Sequence, residues 1–213
     1  MIPLLRVFFF VCIVRPLIMI IIGLNVFDKR RLPLTGPAII APNHNSHLDT
    51  LTLLSVWPIS KIDRVHPVAA ADYFLSNPAM AWFSLNVIGI IPIERQKKDP
   101  LDDPLATSSE ALERGDILII FPEGSRGLPE IMDSFKSGIS RLAERHPDVP
   151  IVPVFMHGLG KSLPKGDFVL VPFFCDVFIG EPVYWQGSVE ATMAAYKTSM
   201  ESLAAKCDAP AWE

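Results

Sequence analysis

Short apolar runs alternate along the chain with longer stretches in which apolar residues recur every three or four positions. The runs are rich in Ile, Val and Phe and predict β-strands at 38–41, 65–70, 90–93, 117–121, 151–156, 168–171 and 176–180. The periodic stretches predict helices at 46–57, 71–86, 104–114, 134–145 and 188–206, and Asn77-Pro78 predicts a break within the second of them. Strands that alternate with helices are typical of an α/β fold, so we expect a mostly parallel sheet flanked by helices.

The most apolar part of the chain is its amino-terminal region. Residues 7–27 read VFFFVCIVRPLIMIIIGLNVF, and a membrane-spanning helix needs about 20 mostly apolar residues. Arg15 falls in the middle, where a charge opposes insertion, and Pro16 predicts a kink. Three structures are open at this point: one kinked spanning helix, two short helices in one leaflet with Arg15 reaching to the surface, or a helix buried in the protein core.

Charge is distributed unevenly along the 213 residues. The formal net charge is −4, but residues 1–31 hold five basic side chains against Asp28 alone, a balance of +4. The apolar end is therefore also the basic end, which suits an anionic membrane surface. Lys29-Arg30-Arg31 directly after the apolar run indicates that the rest of the chain faces the cytoplasm. We divide the chain into a membrane-anchoring helical segment at 1–31 and one globular domain at 32–213.

The composition of the chain argues against several classes of function. Half of the residues are hydrophobic, and the mean hydropathy of +0.34 is high for a freely soluble protein. The negative net charge argues against a general nucleic-acid-binding surface. Three cysteines that lie far apart, with no Cys-x-x-Cys, argue against disulfides and a cysteine zinc site and favour a reducing compartment.

A polar cluster follows the predicted strand at 38–41 and opens the next helix, with the sequence Asn43-His44-Asn45-Ser46-His47-Leu48-Asp49. If His44 lies in the turn and Asp49 in the first helical turn, their side chains can meet. A carboxylate beside an imidazole fixes its tautomer and stabilises its protonated form, so the pair suits a general base that takes a proton from a hydroxyl. The alternative is structural, because Ser46-x-x-Asp49 is also a capping-box pattern.

A second polar cluster, Phe121-Pro122-Glu123-Gly124-Ser125-Arg126-Gly127, follows the fourth predicted strand. Sheets of α/β proteins bind their ligands at the carboxyl ends of strands. Glu123 offers an acceptor for a substrate hydroxyl, Gly124 permits close approach of the backbone, and Arg126 offers a fork for a phosphate. Arg95, after the predicted strand at 90–93, offers a second guanidinium group that could hold the same phosphate. The alternative is an ordinary turn and a charged sheet edge.

These elements together resemble the phospholipid/glycerol acyltransferase family, specifically the 1-acylglycerol-3-phosphate acyltransferases. The resemblance covers residues 20–185. Its specificity lies in the order of the motifs: Asn-His-x-Ser-x-x-Asp at 43–49, the strand that leads to Arg95, Phe-Pro-Glu-Gly-Ser-Arg at 121–126, and then Val-Pro-Ile-Val-Pro-Val at 149–154. Two departures, Gly127 for a usual serine and Ser134-Phe135-Lys136-Ser137-Gly138 for a Pro-Phe-Lys-x-Gly run, bear on the acceptor's headgroup.

The resemblance implies a reaction and roles for six residues. His44 is the base and Asp49 its partner, while the acceptor and its phosphate are held by Arg95, Glu123, Gly124 and Arg126. A fatty acyl group passes from an acyl-CoA or acyl carrier protein thioester to the free hydroxyl of a lysophospholipid, with 1-acylglycerol-3-phosphate as the first choice. The resemblance implies no metal ion and no cofactor beyond the thioester co-substrate. It also implies docking of the amino-terminal helices to the bilayer, at the cytoplasmic face of the inner or plasma membrane.

Other functions compete with this interpretation. His44-x-x-His47-x-Asp49 superficially resembles a zinc-hydrolase cluster, although the spacing does not fit the known pattern of that class. Acylation of a different lysolipid keeps the reaction and changes the acceptor. A catalytically silent membrane-lipid-binding protein on the same fold would keep the apolar segment, but it would have no need of a His/Asp pair.

Overall fold

The computed structural model describes residues 2–46, 48–94, 102–125, 127, 132–162 and 173–207. Within these residues, seven strands form a single sheet: β1 (Ile22–Phe27), β2 (Ala38–Pro42), β3 (Val65–Ala70), β4 (Ile91–Ile93), β5 (Ile117–Ile119), β6 (Ile151–His157) and β7 (Phe173–Ile179). Their spatial order is β1-β7-β6-β2-β5-β3-β4. Neighbouring strands run parallel except β6 and β7, which are antiparallel. The predicted α/β fold with a mostly parallel sheet is confirmed.

Helices connect the strands and cover both faces of the sheet. The α-helices in the described residues are α1 (Ile2–Phe9), α2 (Arg15–Ile21), α3 (Asp49–Val56), α4 (Ala71–Phe74), α5 (Pro78–Phe83), α6 (Ala106–Glu113), α7 (Gly138–Arg145), α8 (Leu159–Ser162) and α9 (Val189–Ala204). π-Helical turns at Phe10–Val14 and Ser84–Ile88 extend α1 and α5, and 3₁₀ turns form at Lys29–Arg31 and Ile59–Arg64.

Six of the seven predicted strands form within three residues of their expected bounds, and the seventh, 168–171, lies outside the described residues. The predicted helix over 71–86 breaks at Asn77-Pro78 as expected, because Asn77 caps α5 and accepts hydrogen bonds from the backbone amides of Ala79 and Met80. Helices α3 and α7 begin three to four residues later than predicted. Before α7, residues 134–137 form a loop instead of the first helical turn.

The prediction of one helical segment over 7–27 is wrong in its last six residues. Helix α2 ends at Ile21, and Ile22–Phe27 form edge strand β1, which pairs in parallel with β7 from Ile22 opposite Phe173 to Phe27 opposite Phe178. Gly23 leaves room for the ring of Phe174 on the neighbouring strand, because a Cβ at this position would clash with that ring. An apolar run suits a helix or a doubly buried strand equally well, so periodicity could not separate them.

The amino-terminal helices pack one face on the domain and expose another. Phe10, Val14 and Ile18 follow one another at four-residue intervals and are at most 2% exposed. Pro16 has no amide hydrogen, and the chain accommodates it with a π-turn in which the amide of Arg15 bonds the carbonyl of Phe10. Within the described parts of the chain, none of the helices combines the length and apolar character that crossing a membrane requires.

The two arginines of this apolar region bond to carbonyls of the domain. Arg15 donates from Nη2 to the carbonyl of Trp57 at 2.6 Å, at the C-terminal end of α3. Arg6, which is buried, donates from Nη2 to the carbonyl of Val65 at 2.8 Å. Arg15 therefore has a backbone acceptor within the protein, which none of the three open alternatives included.

The core lies on both faces of the sheet, and β2 is its central strand. Ala38 and Ile40 pack with the amino-terminal helices and α3, whereas Ile39 and Ala41 pack with α6, α7 and α9. All four side chains are fully buried, which is typical of a strand inside a parallel sheet. Strand β5 lies directly beside β2, so the loops that follow these two strands emerge next to each other.

Candidate active site

The two polar clusters meet at the carboxyl edge of the sheet. In the parallel pairing of β2 with β5, Ile40 lies opposite Ile119. His44 and Glu123 each come four residues after these partners, so the topology brings their loops together. The contact is direct, because the backbone amide of His44 donates to Oε1 of Glu123 at 3.0 Å.

His44 and Asp49 form the predicted pair. Nδ1 of His44 lies 2.9 Å from Oδ2 of Asp49, a carboxylate that is completely buried, while the His44 side chain is 19% exposed. Among the described residues, Nε2 of His44 has no hydrogen-bond partner. With the proton assigned to Nδ1, the other ring nitrogen is a base that remains open to a ligand.

Asp49 also organises the turn in which His44 lies. Its Oδ2 accepts the backbone amides of Asn45 at 2.6 Å and Ser46 at 2.8 Å. The bond from Ser46 is one half of the capping box considered above, so the structural and catalytic interpretations of Asp49 hold together. Because the carboxylate binds the amides of Asn45 and Ser46, these residues do not join the helix and α3 begins only at Asp49.

An aromatic ring holds the other side of the imidazole. Phe121 stacks on His44 with ring centroids 4.1 Å apart and an interplanar angle of 28°. Phe121 in turn packs against the core beneath the loop. The sequence analysis included Phe121 in its motif without giving it a role, since only the fold brings the two rings together.

Glu123 is a buried carboxyl group, only 3% exposed. Burial is the main cause that raises the pKa of Glu123 from its ordinary 4.5 to about 7; the charges of Asp133 and Asp49 add to the rise, whereas backbone hydrogen bonds from His44 and Asp133 oppose it. Because Oε1 bonds the backbone of the predicted base, the contact fits a positioning role. The acceptor-binding role implied by the resemblance stays a prediction.

The peptide of His44 is held from both ends by the second loop. While its amide donates to Glu123, its carbonyl accepts the amide of Gly127 at 3.2 Å. Gly124, between these two residues, adopts a left-handed φ of +72°, a conformation that favours glycine. These two hydrogen bonds fix the position of the His44 backbone relative to the second loop.

Lys136 brings a cation to this loop. A Cβ at Gly124 would lie 2.6 Å from Nζ of Lys136, so the amine rests directly against the glycine backbone. The amide of Lys136 also donates to the carbonyl of Pro122 at 2.8 Å. Lys136 is exposed and received no role from the sequence analysis. The sequence signal that pointed to Lys136 was the stretch Phe-Lys-x-Gly at 135–138, which matches part of the family's Pro-Phe-Lys-x-Gly run.

Asn43 anchors the first loop to the sheet. Its side chain is 1% exposed and makes two hydrogen bonds with Met156 of β6, donating to the carbonyl at 2.9 Å and accepting from the amide at 2.7 Å. These bonds continue the pairing of β2 with β6 beyond Pro42. The side chain therefore places His44 at the end of the strand rather than acting on a substrate.

Three predicted site residues lie outside the described residues: Arg95, Arg126 and His47. The first two are the expected phosphate clamps, and the third belongs to the zinc alternative. In the described parts of the chain, His44 and Asp49 belong to no group of three potential metal ligands with donor atoms within 4.8 Å of one another. Two cavities of about 440 and 490 Å³ lie elsewhere, on the α9 side of the molecule, and neither is lined by His44.

Comparisons with known proteins agree on one family. A family model described as Acyltransferase matches residues 23–157. A chloroplastic 1-acyl-sn-glycerol-3-phosphate acyltransferase from Arabidopsis thaliana is 31% identical over 144 residues, which are 67% of this chain and 38% of that protein. The 1-acyl-sn-glycerol-3-phosphate acyltransferase of Bacillus subtilis is 29% identical over 166 residues, 76% of this chain and 74% of that protein.

A solved structure shares the fold. The crystal structure of the 1-acyl-sn-glycerophosphate acyltransferase from Thermotoga maritima matches with a TM-score of 0.69 and 20% identity, over 92% of this chain and 79% of the other. This chain spans only about two fifths of the length of the plant relatives it matches. The family model nevertheless covers more than half of the chain and includes both loops around His44, so the chain belongs to the Acyltransferase family.

Proposed function

We propose that this protein is an O-acyltransferase that moves a fatty acyl group from a thioester donor to the free hydroxyl of 1-acylglycerol-3-phosphate and yields phosphatidic acid. The observation that carries the proposal is the 2.9 Å contact between Nδ1 of His44 and the buried carboxylate of Asp49, at the carboxyl edge of a parallel sheet. The activity for which these relatives are named supports the choice of acceptor.

In the proposed reaction, Nε2 of His44 takes the proton of the acceptor hydroxyl, while Asp49 holds Nδ1–H and stabilises the imidazolium that forms. The acceptor oxygen attacks the thioester carbon and forms a tetrahedral oxyanion. Collapse of this intermediate makes the ester bond and breaks the carbon–sulfur bond, and the imidazolium returns its proton to the departing thiolate. The amides of Asn45 and Ser46 already bond Asp49, so other donors must serve the oxyanion.

The acceptor's phosphate needs cations near His44. Lys136 supplies one at the Gly124 backbone. Arg95 and Arg126, carried over from the resemblance, would supply two more and would present the hydroxyl in a fixed orientation. An acyl-CoA and an acyl carrier protein thioester both satisfy the donor chemistry, and the assay below separates them.

The test is acyl transfer by tag-free protein in detergent, followed by mass spectrometry. Lysophosphatidic acid and a panel of other lysolipids are each offered with acyl-CoA and with acyl carrier protein thioester. We expect phosphatidic acid from the wild type and a loss of roughly 10²–10⁴-fold in the variant His44→Ala. His146→Ala, at the C-terminal end of α7, is the matched control and should keep its activity.

Each alternative has its own outcome in this assay. Product from another lysolipid alone would overturn the acceptor and keep the reaction. Equal turnover by wild type and His44→Ala would refute His44 as the base. Tight binding of lysolipid by a folded protein with no product from any pair would favour the silent binding protein.

We further propose that the amino-terminal helices dock the enzyme to the bilayer. Large apolar side chains of α1–α2 are exposed, with Met19 at 80% and Ile20 at 81%. The α4–α5 region adds Tyr73, Met80, Trp82 and Leu85. The two regions are joined where Phe9 meets Phe83 edge-to-face at 5.3 Å. Lipid that covers these faces would remove apolar surface from water and bring a membrane-resident acceptor to the enzyme.

Co-sedimentation with vesicles that contain anionic lipid tests the docking. We expect the double variant Met19→Gln/Ile20→Gln to bind vesicles at least tenfold more weakly than the wild type. Tyr184→Gln is the control, because Tyr184 is 47% exposed and its neighbour Val183 packs on the opposite face of the sheet, with α9. Equal loss in both variants, or no loss in either, would refute docking through the amino-terminal face.

A further inference from the structure

Three potential metal ligands converge at the edge of the sheet where α9 ends. Donor atoms of His157, Asp176 and Cys207 all lie within 4.8 Å of one another. His157 closes β6, Asp176 lies in β7, and Cys207 follows α9 by three residues. The family's reaction, as proposed above, uses none of them. We propose that these three side chains bind a single zinc ion.

The sheet register explains why two of the ligands share a face. In the antiparallel pair, His157 lies directly opposite Asp176, and directly opposed residues project to the same side of a sheet. Phe155 and Phe178, two positions away on the same strands, pack with Tyr196 and other residues of α9. The His157–Asp176 pair therefore lies on the face that α9 covers, where the chain delivers Cys207.

The donor set matches zinc in type and charge. An imidazole nitrogen, a carboxylate oxygen and a thiolate sulfur are the three ligand kinds that zinc takes in proteins. One carboxylate and one thiolate neutralise the two positive charges of the ion. Tetrahedral bonds of about 2.0–2.3 Å hold ligand atoms about 3.3–3.6 Å apart. The donors, which lie within 4.8 Å of one another, therefore need to close by at most about 1.5 Å, and a water fills the fourth position.

Asp176 is oriented by a neighbour that is not itself a ligand. Nδ2 of Asn25 in β1 donates to Oδ1 of Asp176 at 2.8 Å, and the two residues are register partners. This bond leaves the second carboxylate oxygen for the metal. Asp176 also lines a cavity of about 440 Å³ together with Phe27, Phe178 and Lys206, which gives an ion and a water a path to the site.

The geometry indicates a stabilising site rather than a catalytic one. The ion would tie the end of α9 to β6 and β7, three separate elements of the C-terminal part of the chain. It would bind the folded state and not the unfolded chain, so zinc should raise the thermal midpoint. At a free zinc concentration about 100 times the dissociation constant, we expect a rise of roughly 5–10 °C.

The experiment uses tag-free full chain, freed of metal and kept reduced. Zinc binding is measured by competition with a chromophoric chelator, and Co(II) is substituted to detect a sulfur-to-cobalt charge-transfer band. We expect one ion per wild-type chain, at least 100-fold weaker binding in Cys207→Ser and in Asp176→Asn, and about tenfold weaker binding in Asn25→Ala. Cys12→Ser is the matched control, since Cys12 is exposed on the amino-terminal helices.

The outcomes distinguish zinc held by these three side chains from metal bound elsewhere on the chain. A charge-transfer band that persists in Cys12→Ser and disappears in Cys207→Ser supports the proposal. Binding that is lost in Cys12→Ser but kept in Cys207→Ser places the metal elsewhere and overturns it. Stoichiometric binding that none of the variants weakens, or no binding by the wild type, overturns it as well. Asp176→Asn, which keeps the shape of the side chain, repeats the test if Cys207→Ser fails to fold.

Discussion

Replacing Glu123 with glutamine tests whether this group holds His44 or binds the acceptor. In the structure, Oε1 of Glu123 accepts the backbone amide of His44 at 3.0 Å, and the side chain is 3% exposed. A glutamine keeps an oxygen in that place and removes the ionisable proton. If the group acts only through the His44 peptide, Glu123→Gln should keep the turnover number and the acceptor KM within a few fold of the wild type.

The pKa of Glu123 makes the same substitution a test of stability against pH. Burial raises this pKa from 4.5 to about 7 in the folded protein. Between these values the folded state keeps a proton that the unfolded chain has released, so wild-type stability falls as the pH rises. A difference of about 2.5 pKa units corresponds to about 3 kcal/mol. The loss begins near pH 4.5 and is complete above pH 7.

The assay is urea unfolding of both proteins at several pH values from about 4 to about 8. The quantity of interest is the free energy of unfolding of the wild type minus that of Glu123→Gln. We expect this difference to fall by about 3 kcal/mol across the range and then to level off. Glu113→Gln, a change at an exposed carboxyl group at the end of α6, should give a difference that is nearly flat over the same range.

Two results would refute the reasoning. A flat difference for Glu123→Gln would mean that Glu123 ionises in the folded state as it does in the unfolded chain, which contradicts its burial. A rise of tenfold or more in the acceptor KM of Glu123→Gln, with unchanged turnover, would show that the carboxylate contacts the acceptor. That result would support the acceptor-binding role of Glu123 that the family resemblance implies, and it would contradict the positioning role.

Three further predictions follow from contacts around the site and the amino-terminal helices. Lys136→Gln should raise the KM for lysophosphatidic acid about 10- to 100-fold in steady-state kinetics with little change in turnover, because it removes a charged partner of the phosphate; an unchanged KM contradicts that role. Phe121→Leu should lower turnover roughly two- to tenfold at unchanged acceptor KM, because the stacked ring no longer orients His44; unaltered kinetics would contradict it. Arg15→Met should lower the free energy of unfolding in urea by about 1–3 kcal/mol, because the Trp57 carbonyl loses its donor. Arg30→Met, a change at an exposed position, should keep the wild-type free energy of unfolding. Equal stabilities of the two variants would refute the contact.

The sheet could be predicted from the sequence, whereas the meeting of the two loops depends on the order of the strands in the sheet. An apolar run bounded by turns indicates a buried strand, even when the adjacent strands in the sheet are not known. The loops after such strands come together whenever the strands are parallel neighbours, and β2 and β5 are. The contact of His44 with Asp49 was predicted on the condition that His44 lies in a turn, and the family resemblance supplied the roles of the pair. The structure confirms the contact.

Contacts between distant parts of the chain could not be predicted. The bond between Asn43 and Met156 joins residues 113 positions apart, and the bond between His44 and Glu123 joins residues 79 apart. No local pattern encodes such partners. The approach of Lys136 to Gly124 is closer in sequence, but it depends on a left-handed glycine and on a loop whose path only the fold decides.

The charges of the amino-terminal region show why hydropathy alone could not choose among its three possible structures. A guanidinium within an apolar run opposes burial in lipid, yet inside a protein it is accommodated wherever a carbonyl lacks a partner. The last turn of a helix supplies such carbonyls, and Arg15 bonds one at the end of α3. Arg6 bonds the first residue of β3 in the same manner. The two cations therefore fasten one side of these helices to the domain, and the apolar side chains divide between a face that fills the core and a face that remains open.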